Sequence, residues 1–304
     1  MNQGKANISV IITTHNGSRF IEEQIESILA QTLAPKEIIV SDDASTDDTI
    51  ALVHKWEQSG KLRLIRNTVA LGVVANFKKA VALAEPNHFI ALSDQDDVWL
   101  PHKLETCWNK IHDFEDLRLP SLVYSDLQLV DQHLQVMNPS FQNELGIDKF
   151  EHCFDTALFG SLVLGCTTLF NPALRNLFVA MPHSKQYFHD AWMALIAFGW
   201  GNHACIQEPL VLYRQHANNL TIAAHQKKSR HGKLVAHGKA FFTASNYLNN
   251  ELALAKDFSN SYVDKLSPAK QLALHNFLSL QTKSHFRKKW AFEKTFFPRW
   301  LNRF

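Results

Sequence analysis

Residues 8–17 read Ile-Ser-Val-Ile-Ile-Thr-Thr-His-Asn-Gly, a β-branched run that ends in polar residues. The same pattern returns at residues 37–48, Glu-Ile-Ile-Val-Ser-Asp-Asp-Ala-Ser-Thr-Asp-Asp, and at residues 88–97, His-Phe-Ile-Ala-Leu-Ser-Asp-Gln-Asp-Asp. Continuous apolar runs of this length are typical of strands that are covered on both faces. They predict the buried strands of a parallel sheet.

The segments between these runs have helical spacing. Apolar residues recur every three or four positions in segments 20–29, 49–56 and 73–84, and a further strand is predicted at residues 62–65. Four strands separated by three helices predict βαβ units, and hence an α/β fold with a Rossmann-like, mostly parallel sheet flanked by helices. After Pro101 the pattern is weaker; it predicts strands at 122–124, 162–169 and 204–213 and helices at 172–179 and 191–198.

Charge is distributed unevenly along the 304 residues. Residues 1–224 hold 16 Lys and Arg against 25 Asp and Glu, a net charge of −9, whereas residues 225–304 hold 15 against 4, a net charge of +11. The second segment shows no strand pattern. We therefore predict an α/β domain over residues 1–224 and a basic, mainly helical C-terminal extension over residues 225–304.

The composition excludes several classes of protein. With 46% hydrophobic and 20% charged residues, the chain is neither disordered nor fibrous. The four cysteines lie far apart without a CxxC pair, which argues against a zinc site or a disulfide framework and favours a reducing compartment. No signal-peptide core is visible, and no run approaches the ~18 apolar residues of a membrane span, so we expect a cytoplasmic protein.

Acidic residues follow two of the predicted strands. Asp42 and Asp43 follow the second strand, and Asp94, Asp96 and Asp97 follow the fourth. Ligands of an open parallel sheet bind beyond the carboxyl ends of the strands, so these clusters should converge. Crowded carboxylates repel one another unless a cation offsets their charge, and oxygen ligands at a phosphate site favour Mg²⁺ or Mn²⁺. The pattern predicts a nucleotide diphosphate held with a divalent metal.

Other interpretations of the acidic residues stay open. Asp47 and Asp48 precede a predicted helix and are equally explained as helix-capping residues. Neither a GxxxxGK[ST] loop nor a GxGxxG segment is present, which argues against ATP hydrolysis and dinucleotide oxidoreduction. A phosphatase of the DxD type is a weaker alternative, since its nucleophile normally precedes Gly-Thr, whereas Val98 follows Asp97 here.

Taken together, these segments resemble glycosyltransferase family 2, whose members have the GT-A fold. The resemblance rests on four blocks in the family's order, residues 9–17, 41–49, 71–77 and 93–99, and on later segments at 165–167, 189–192 and 213–219. Asn76-Phe77, the 94–97 block, Gly165-Cys166-Thr167 and the Tyr213 to His216 block look most like the bacterial rhamnosyltransferase-type members. Such members use a dTDP-sugar in surface polysaccharide assembly, for example of O-antigen or capsule.

The resemblance implies a role for each residue that matches a family motif. The nucleotide-sugar pocket would be lined by Thr13, His15, Asn16, Asp42, Asp43, Asn76 and Asp94. A divalent metal, Mn²⁺ or Mg²⁺, would be held on the diphosphate by Asp96 and His216, and Asp190 would be the catalytic base. Asp190 is also explained as the N-cap of a helix, and His216 as an ordinary partly buried histidine.

The activity that the resemblance implies is inverting transfer of a sugar to a hydroxyl of a growing surface polysaccharide or lipid-linked glycan. The expected donor is a dTDP- or UDP-sugar, with rhamnose favoured. A UDP-hexose transferase, for galactose or glucose, is the alternative within the same fold. A non-catalytic scaffold that binds sugar nucleotides is a third hypothesis, and the presence of both Asp96 and Asp190 argues against it.

Residues 283–304 combine seven basic residues and one acidic residue with seven aromatic ones. This pattern predicts either peripheral contact with the inner face of the plasma membrane, near a lipid-linked acceptor, or a helix whose aromatic side chains pack on the main domain. No nucleic-acid-binding motif accompanies the charge, so nucleic acid is not an expected partner. The residues His225, His231 and His237 do not have helical metal-binding spacing and are interpreted as surface residues.

Overall fold

The computed structural model describes residues 6–160, 162–216 and 248–296. Within these ranges nine strands form one sheet, in the spatial order β3-β2-β1-β4-β8-β6-β9-β5, with β7 paired to β6. The strands are β1 (Ile8–Thr14), β2 (Glu37–Asp42), β3 (Arg63–Arg66), β4 (Phe89–Ser93), β5 (Val98–Trp99), β6 (Ser121–Val130), β7 (Val136–Asn138), β8 (Thr168–Phe170) and β9 (Asn202–Arg214).

Helices cover both faces of this sheet. They are α1 (Ile21–Leu29), α2 (Thr49–Gln58), α3 (Val73–Leu83), α4 (Lys103–Ile111), α5 (Phe141–Leu145), α6 (Phe154–Ala157), α7 (Pro172–Val179), α8 (His189–Trp200), α9 (Asn249–Tyr262), α10 (Pro268–Leu278) and α11 (His285–Phe296). Short 3₁₀ turns occupy Ile147–Lys149, Gly165–Thr167, Val263–Lys265 and Ser279–Thr282.

The parallel part of the sheet forms where the sequence predicts it. Strands β3, β2, β1 and β4 are parallel neighbours, and all seven residues of β1 are buried. Successive side chains of a strand point to opposite faces, so Ile11 joins one hydrophobic cluster while Val10 and Ile12 join the other. Strand β1 therefore contributes side chains to both hydrophobic clusters. Because both of its faces are buried, its register against β2 and β4 is fixed.

The second half departs from the prediction at one strand. The strand expected at residues 162–169 is reduced to Thr168–Phe170, because Gly165–Thr167 forms a 3₁₀ turn. Thr168 Oγ1 donates to the Gly165 carbonyl (2.7 Å) and Thr167 Oγ1 to the Leu164 carbonyl (2.8 Å). These local side-chain hydrogen bonds compete with strand pairing. The apolar pattern alone therefore predicted a strand where a turn forms. The strand predicted at 204–213 is present as the longer β9.

The described part of the C-terminal extension is helical, as predicted, and packs on the main domain. From α9, Leu252, Leu254 and Phe258 belong to the same hydrophobic cluster as Trp192 of α8. The ammonium group of Lys270 in α10 donates to the last carbonyls of α8, those of Phe198 and Gly199, at 2.8 Å each. A cation at this end also complements the helix dipole.

Several expectations fall outside the described ranges. The proposed boundary between residues 224 and 225 lies there, as do His225, His231, His237 and residues 297–304 of the basic tail. The division into two domains therefore stays a prediction. Across residues 6–160, 162–216 and 248–296, no helix is both long enough and apolar enough to cross a membrane.

Candidate active site

The ends of β1, β2 and β4 bring the predicted site residues together. Strands β2 and β4 flank β1, so an acidic segment lies on each side of the residues that follow Thr13. Gln95 joins two of these strand ends, because its Oε1 accepts hydrogen bonds from Thr14 Oγ1 (2.7 Å) and the His15 N–H (2.8 Å). A Cβ at Gly17 would lie 2.4 Å from the same oxygen, so a larger residue there would displace the Gln95 side chain. Neither role was predicted from the sequence.

On the β2 side, the carboxylate of Asp43 binds a neighbouring loop. Its Oδ1 accepts hydrogen bonds from Asn67 Nδ2 (2.9 Å) and the Leu71 N–H (2.7 Å), and its Oδ2 accepts from the Gly72 N–H (2.8 Å). Gly72 has a φ of 85°, a conformation that favours glycine. Both oxygens of Asp43 therefore hold residues 67–72 against the end of β2.

Asp42 is also bonded to its own loop. Its Oδ2 accepts the Ser45 N–H (2.9 Å), its Oδ1 accepts the Ser45 hydroxyl, and Ser45 Oγ in turn accepts the Asn16 N–H (2.8 Å). His15 is exposed, and its Nδ1 donates to the Asp43 carbonyl (2.8 Å). The structure thus leaves His15 and Asn16 at the surface of the pocket, with the two carboxylates behind them.

Two predicted pocket residues are buried. Thr13 is 8% exposed and Asn76 only 1% exposed. Asn76 Oδ1 accepts from Ser41 Oγ (2.6 Å) and Asn67 Nδ2 (3.0 Å), and its Nδ2 donates to the Ser41 carbonyl (2.9 Å). Asn76 therefore occupies a supporting position behind β2, rather than the pocket-lining position that the resemblance implies.

On the β4 side, the carboxylates face one another. Burial and the neighbouring carboxylates of Asp96 and Asp190 raise the pKa of Asp94 to about 7. Asp96 Oδ2 lies 2.7 Å from Nε2 of His216, and both side chains are largely buried. The structure thus brings Asp94, Asp96, Asp190 and His216 into one group, although they are spread over more than 120 residues of sequence.

Asp97 lies beneath this group and is fully buried. Its Oδ1 accepts the Arg214 N–H (3.3 Å), while its Oδ2 has no N–H or O–H donor against it among the described residues. Burial, followed by the charges of Asp96 and Asp94, raises the pKa of Asp97 well above its usual range. Ligand atoms of Asp94, Asp97 and Cys166 lie within 4.8 Å of one another. The two crowded carboxylates fit a bound cation, and burial raises the pKa of the Cys166 thiol well above its usual range, so the sulfur beside them is neutral.

A buried lysine accompanies these acids and was not predicted. Lys103 is 0% exposed, and its ammonium nitrogen lies 3.5 Å from the centroid of the Trp99 ring. Burial lowers the pKa of Lys103 to about 8, while the neighbouring Cys107, Cys166 and Asp97 act in the opposite direction. The spacing of apolar residues does not identify a buried lysine. Lys103 becomes a core residue only because α4 packs on the sheet.

Arg214 holds the Asp96 segment in place. Its guanidinium donates to the Asp96 carbonyl (2.8 Å), the Gln132 carbonyl (2.8 Å) and Glu23 Oε2 (2.5 Å), and it lies 4.4 Å from the centroid of the Phe20 ring. The side chain is 1% exposed. The planar guanidinium group thus joins β9, which leads to His216, to the segment that carries Asp96.

Asp190 stands at the start of α8. Its Oδ1 accepts the Ala191 N–H (2.7 Å), but Asp190 is the second residue of the helix and Phe188 is the N-cap, so the N-cap interpretation is wrong. Burial raises the pKa of Asp190 to about 6, and hydrogen bonds from the Ala191 and Gly165 N–H groups partly offset this effect. A buried carboxylate with a raised pKa, next to the β4 group, is a candidate functional residue.

His189 explains why residue 165 is glycine. A Cβ at Gly165 would lie 2.8 Å from His189 Nε2. The imidazole packs on Phe77 (4.7 Å between centroids) and Phe178 (5.7 Å), and burial lowers its pKa to about 4. The imidazole of His189 is thus uncharged, and it packs against the turn that contains Gly165, whose N–H binds Asp190.

Similarity to known proteins agrees with this geometry. A model of the family described as Glycosyl transferase family 2 matches residues 9–162. The Escherichia coli protein WfgD, a UDP-Glc:alpha-D-GlcNAc-diphosphoundecaprenol beta-1,3-glucosyltransferase, is 36% identical over 194 residues, which are 62% of this chain and 69% of that protein. The dTDP-rhamnosyl transferase RfbG of Shigella flexneri is 25% identical over 241 residues, 73% of this chain and 78% of that protein.

Solved structures share the fold. Residues 1–349 of S. aureus TarS, in complex with UDP-GlcNAc, superpose with a TM-score of 0.61 at 18% identity, covering 96% of this chain and 82% of that one. The mannosyltransferase PcManGT from Pyrobaculum calidifontis, with GDP-Man and Mn²⁺, gives 0.54 at 18% identity, covering 96% and 85%. The fold is of the GT-A type, as predicted. The chain belongs to glycosyl transferase family 2 and is a glycosyltransferase.

Proposed function

We propose that the protein transfers a sugar from a nucleotide diphosphate donor to a hydroxyl of a surface polysaccharide or lipid-linked glycan, with inversion at the anomeric carbon. The proposal rests chiefly on one observation: the carboxylates of Asp96 and Asp190 both lie close enough to Asp94 to raise its pKa. Asp190 would then act on the acceptor hydroxyl, while the carboxylates of Asp94 and Asp96 would lie on the diphosphate side.

The diphosphate side of the site would hold a divalent metal. Asp96 and His216 supply the ligands, with Asp94 beside them, and oxygen ligands with one imidazole suit Mn²⁺ or Mg²⁺. The buried Oδ2 of Asp97 and the raised pKa of Asp94 support a cation at this place. When bound, the metal would act as a Lewis acid that stabilises the departing diphosphate.

The acceptor side would depend on Asp190. Its pKa of about 6 keeps it ionised at neutral pH, yet makes it a stronger base than an exposed aspartate. The carboxylate would remove the proton of the acceptor hydroxyl while that oxygen attacks the anomeric carbon opposite the diphosphate, through an oxocarbenium-like transition state. The Ala191 and Gly165 N–H groups hold this carboxylate in position.

The nucleotide would bind at the end of β1. The exposed His15 and Asn16 are available there to contact it, and Thr13, Asp42, Asp43 and Asn76 form the wall behind them. The resemblance favours dTDP-rhamnose, whereas the relative with the higher identity is named for UDP-Glc and a diphosphoundecaprenol-linked acceptor. Both dTDP-rhamnose and a UDP-hexose are therefore candidate donors, and a polyprenyl-diphosphate glycan is the candidate acceptor.

We further propose that the protein works at the cytoplasmic face of a membrane. The four cysteines are free, which fits a reducing compartment. An acceptor linked to a membrane lipid would also place the reaction there. The split between an acidic α/β domain and a basic extension is compatible with such a location.

Donor binding and transfer can be tested separately. A thermal-shift panel of dTDP, UDP, GDP and NAD, each with and without Mn²⁺, should show stabilisation by one nucleoside diphosphate that depends on metal. Mass spectrometry of products from dTDP-rhamnose, UDP-glucose and UDP-galactose with a lipid-linked acceptor extract should then identify the sugar. Stabilisation by NAD alone would overturn the assignment, and diphosphate binding without any product would favour the scaffold hypothesis.

A further inference from the structure

The helix α11 has an inner face that fixes it to the main domain. Phe292 lies 5.8 Å and Phe296 6.0 Å from Phe159, measured between ring centroids. Phe296 also meets Phe150 edge to face at 4.6 Å. These contacts bury half of the aromatic residues that the helix carries, so α11 is attached firmly along one side.

The outer face of α11 leaves the other aromatic side chains exposed. Phe286 is 76% exposed and Trp290 49% exposed, and the two are one helical turn apart. Arg287 and Lys294 are exposed next to them, and the Lys294 ammonium lies 5.2 Å from the Trp290 centroid. Large exposed rings flanked by basic side chains mark an interaction surface rather than an ordinary solvated helix.

The charge of this segment indicates the partner. Residues 283–296 contain five Lys and Arg and one Glu. A helix with Trp and Phe on one face and basic residues beside them is the pattern of a helix that lies in the interface of an anionic bilayer. Its 12 residues are too few to span a bilayer, which requires roughly 20.

We propose that the outer face of α11, formed by Phe286, Arg287, Trp290 and Lys294, binds the surface of an anionic phospholipid bilayer. The two rings enter the boundary between headgroups and acyl chains, and the two cations contact lipid phosphates. The inner-face contacts of Phe292 and Phe296 transmit this attachment to the main domain.

Packed helices connect α11 to the helix that carries Asp190. Helix α11 packs on α6, and α6 packs on α8, whose first turn carries Asp190. Phe159, which α11 contacts, also precedes the turn that contains Gly165. That a bilayer bound by α11 also presents a lipid-linked acceptor to Asp190 rests on the proposed function. The lipid binding itself does not depend on it.

Vesicle flotation of the full chain tests the binding. We expect co-flotation with vesicles of phosphatidylcholine and phosphatidylglycerol, and much less with phosphatidylcholine alone. The double variant Phe286→Ser/Trp290→Ser should lower partitioning about tenfold or more. The variant Arg287→Gln/Lys294→Gln should lower it by a similar factor, since each cation near the surface contributes about 1 kcal/mol. Leu83→Ser is the matched control: Leu83 is 46% exposed at the end of α3, far from α11 in sequence.

The proposal is overturned if the wild-type chain does not float with anionic vesicles, if the aromatic double variant floats as well as the wild type, or if Leu83→Ser reduces flotation equally. Dimerisation that is lost in the aromatic variant, without flotation of the wild type, would assign the face to a second copy of the chain. Turnover is measured in parallel with a water-soluble acceptor, on which the aromatic variant should retain full activity. A wild-type chain that turns over the soluble acceptor but does not float refutes only the lipid face, and a wild-type chain that floats without turnover refutes only the proposed function.

Discussion

The two acidic segments on either side of β1 look alike in sequence but differ in their hydrogen bonding. In the segment at 42–48, burial alone would raise the pKa of Asp47, yet hydrogen bonds from Thr49 and Ser18 lower it to about 2. In the segment at 94–97, burial and two further carboxylates raise the pKa of Asp94 to about 7. The same residue type, in the segments that follow the two strands flanking β1, is thus stabilised as an anion on one side and destabilised on the other.

The difference shows how a GT-A site divides structural and chemical tasks. In the first segment the backbone N–H groups of Ser45, Leu71 and Gly72 satisfy the carboxylates, so these acids fix loops. In the second segment such donors are scarce, so the anions lower their free energy by taking up a proton or a cation. The sequence predicted one continuous site for metal and nucleotide. We now expect the reacting and metal-binding groups on the β4 side, and carboxylates that fix loops on the β2 side.

The largest effect is expected from Asp190→Asn. Loss of the base should reduce kcat by about 10² to 10⁴, because general base catalysis has roughly that magnitude. The Asn side chain retains an oxygen that can accept the Ala191 N–H, so folding and donor binding should persist. Single-turnover rates and nucleotide titrations measure the two properties.

A second carboxylate, outside the site, provides the control for this variant. Asp155 of α6 also has a pKa raised by burial, and Asp155→Asn should leave kcat close to that of the wild type. Full turnover by Asp190→Asn would remove Asp190 from the role of base.

Metal removal should have the next largest effect. EDTA should abolish transfer, and Mn²⁺ or Mg²⁺ should restore it. His216→Ala should weaken Mn²⁺ binding, measured by calorimetry in the presence of nucleoside diphosphate, by about 10- to 100-fold, the range typical for loss of groups around a metal. Asp47→Asn, in the other acidic segment, should leave Mn²⁺ affinity unchanged. Full activity in chelator would contradict the metal assignment, and equal effects of both variants would erase the distinction between the segments.

Asp43→Asn tests the framework side. The amide cannot accept hydrogen bonds at both positions, so at least one of the Asn67, Leu71 and Gly72 donors loses its partner. The free energy of unfolding should fall by about 2–4 kcal/mol, because hydrogen bonds to charged groups contribute about 1.5–3 kcal/mol each. Urea unfolding measures the loss. A variant as stable as the wild type would show that the loop 67–72 is held by other contacts.

Sequence reasoning predicted the parallel half of the fold more reliably than the second half. The runs at Ile8–Thr14 and Glu37–Asp42 are strands because their β-branched residues are buried on both faces, a local pattern that the sequence displays directly. The 3₁₀ turn at Gly165–Thr167 is held by hydrogen bonds of Thr167 and Thr168, and a distant residue, His189, lies next to its glycine. Apolar spacing carries no information about such a contact.

The candidate site shows the same limit. Asp94, Asp96, Asp190 and His216 were predicted because their motifs resemble those of a family. Gln95, Asp97, Lys103 and Arg214 were not given roles, because their importance arises from tertiary contacts: a clamp on β1, a buried carboxylate, a buried ammonium and a guanidinium bound to the Asp96 carbonyl. A signal was nevertheless available for Arg214, which directly precedes Gln215 and His216 in the matching block.

The smallest predicted effect concerns Asp94 and has the opposite sign from that of Asp43. The pKa of Asp94 is about 7 in the folded chain, above its ordinary value of 3.8, so between these values the folded state binds more protons than the unfolded state. Without metal, this residue's contribution to stability is therefore present at pH 4 and is lost as the pH rises through 7. In EDTA at pH 8, Asp94→Asn should raise the free energy of unfolding by about 1–3 kcal/mol, and the gain should shrink towards pH 4. Saturating Mn²⁺ should reverse the order, since the cation stabilises only the ionised wild type. A destabilising effect of Asp94→Asn at pH 8 in EDTA would mean that the β4 acids are as well satisfied as those after β2, and the contrast between the two segments would be wrong.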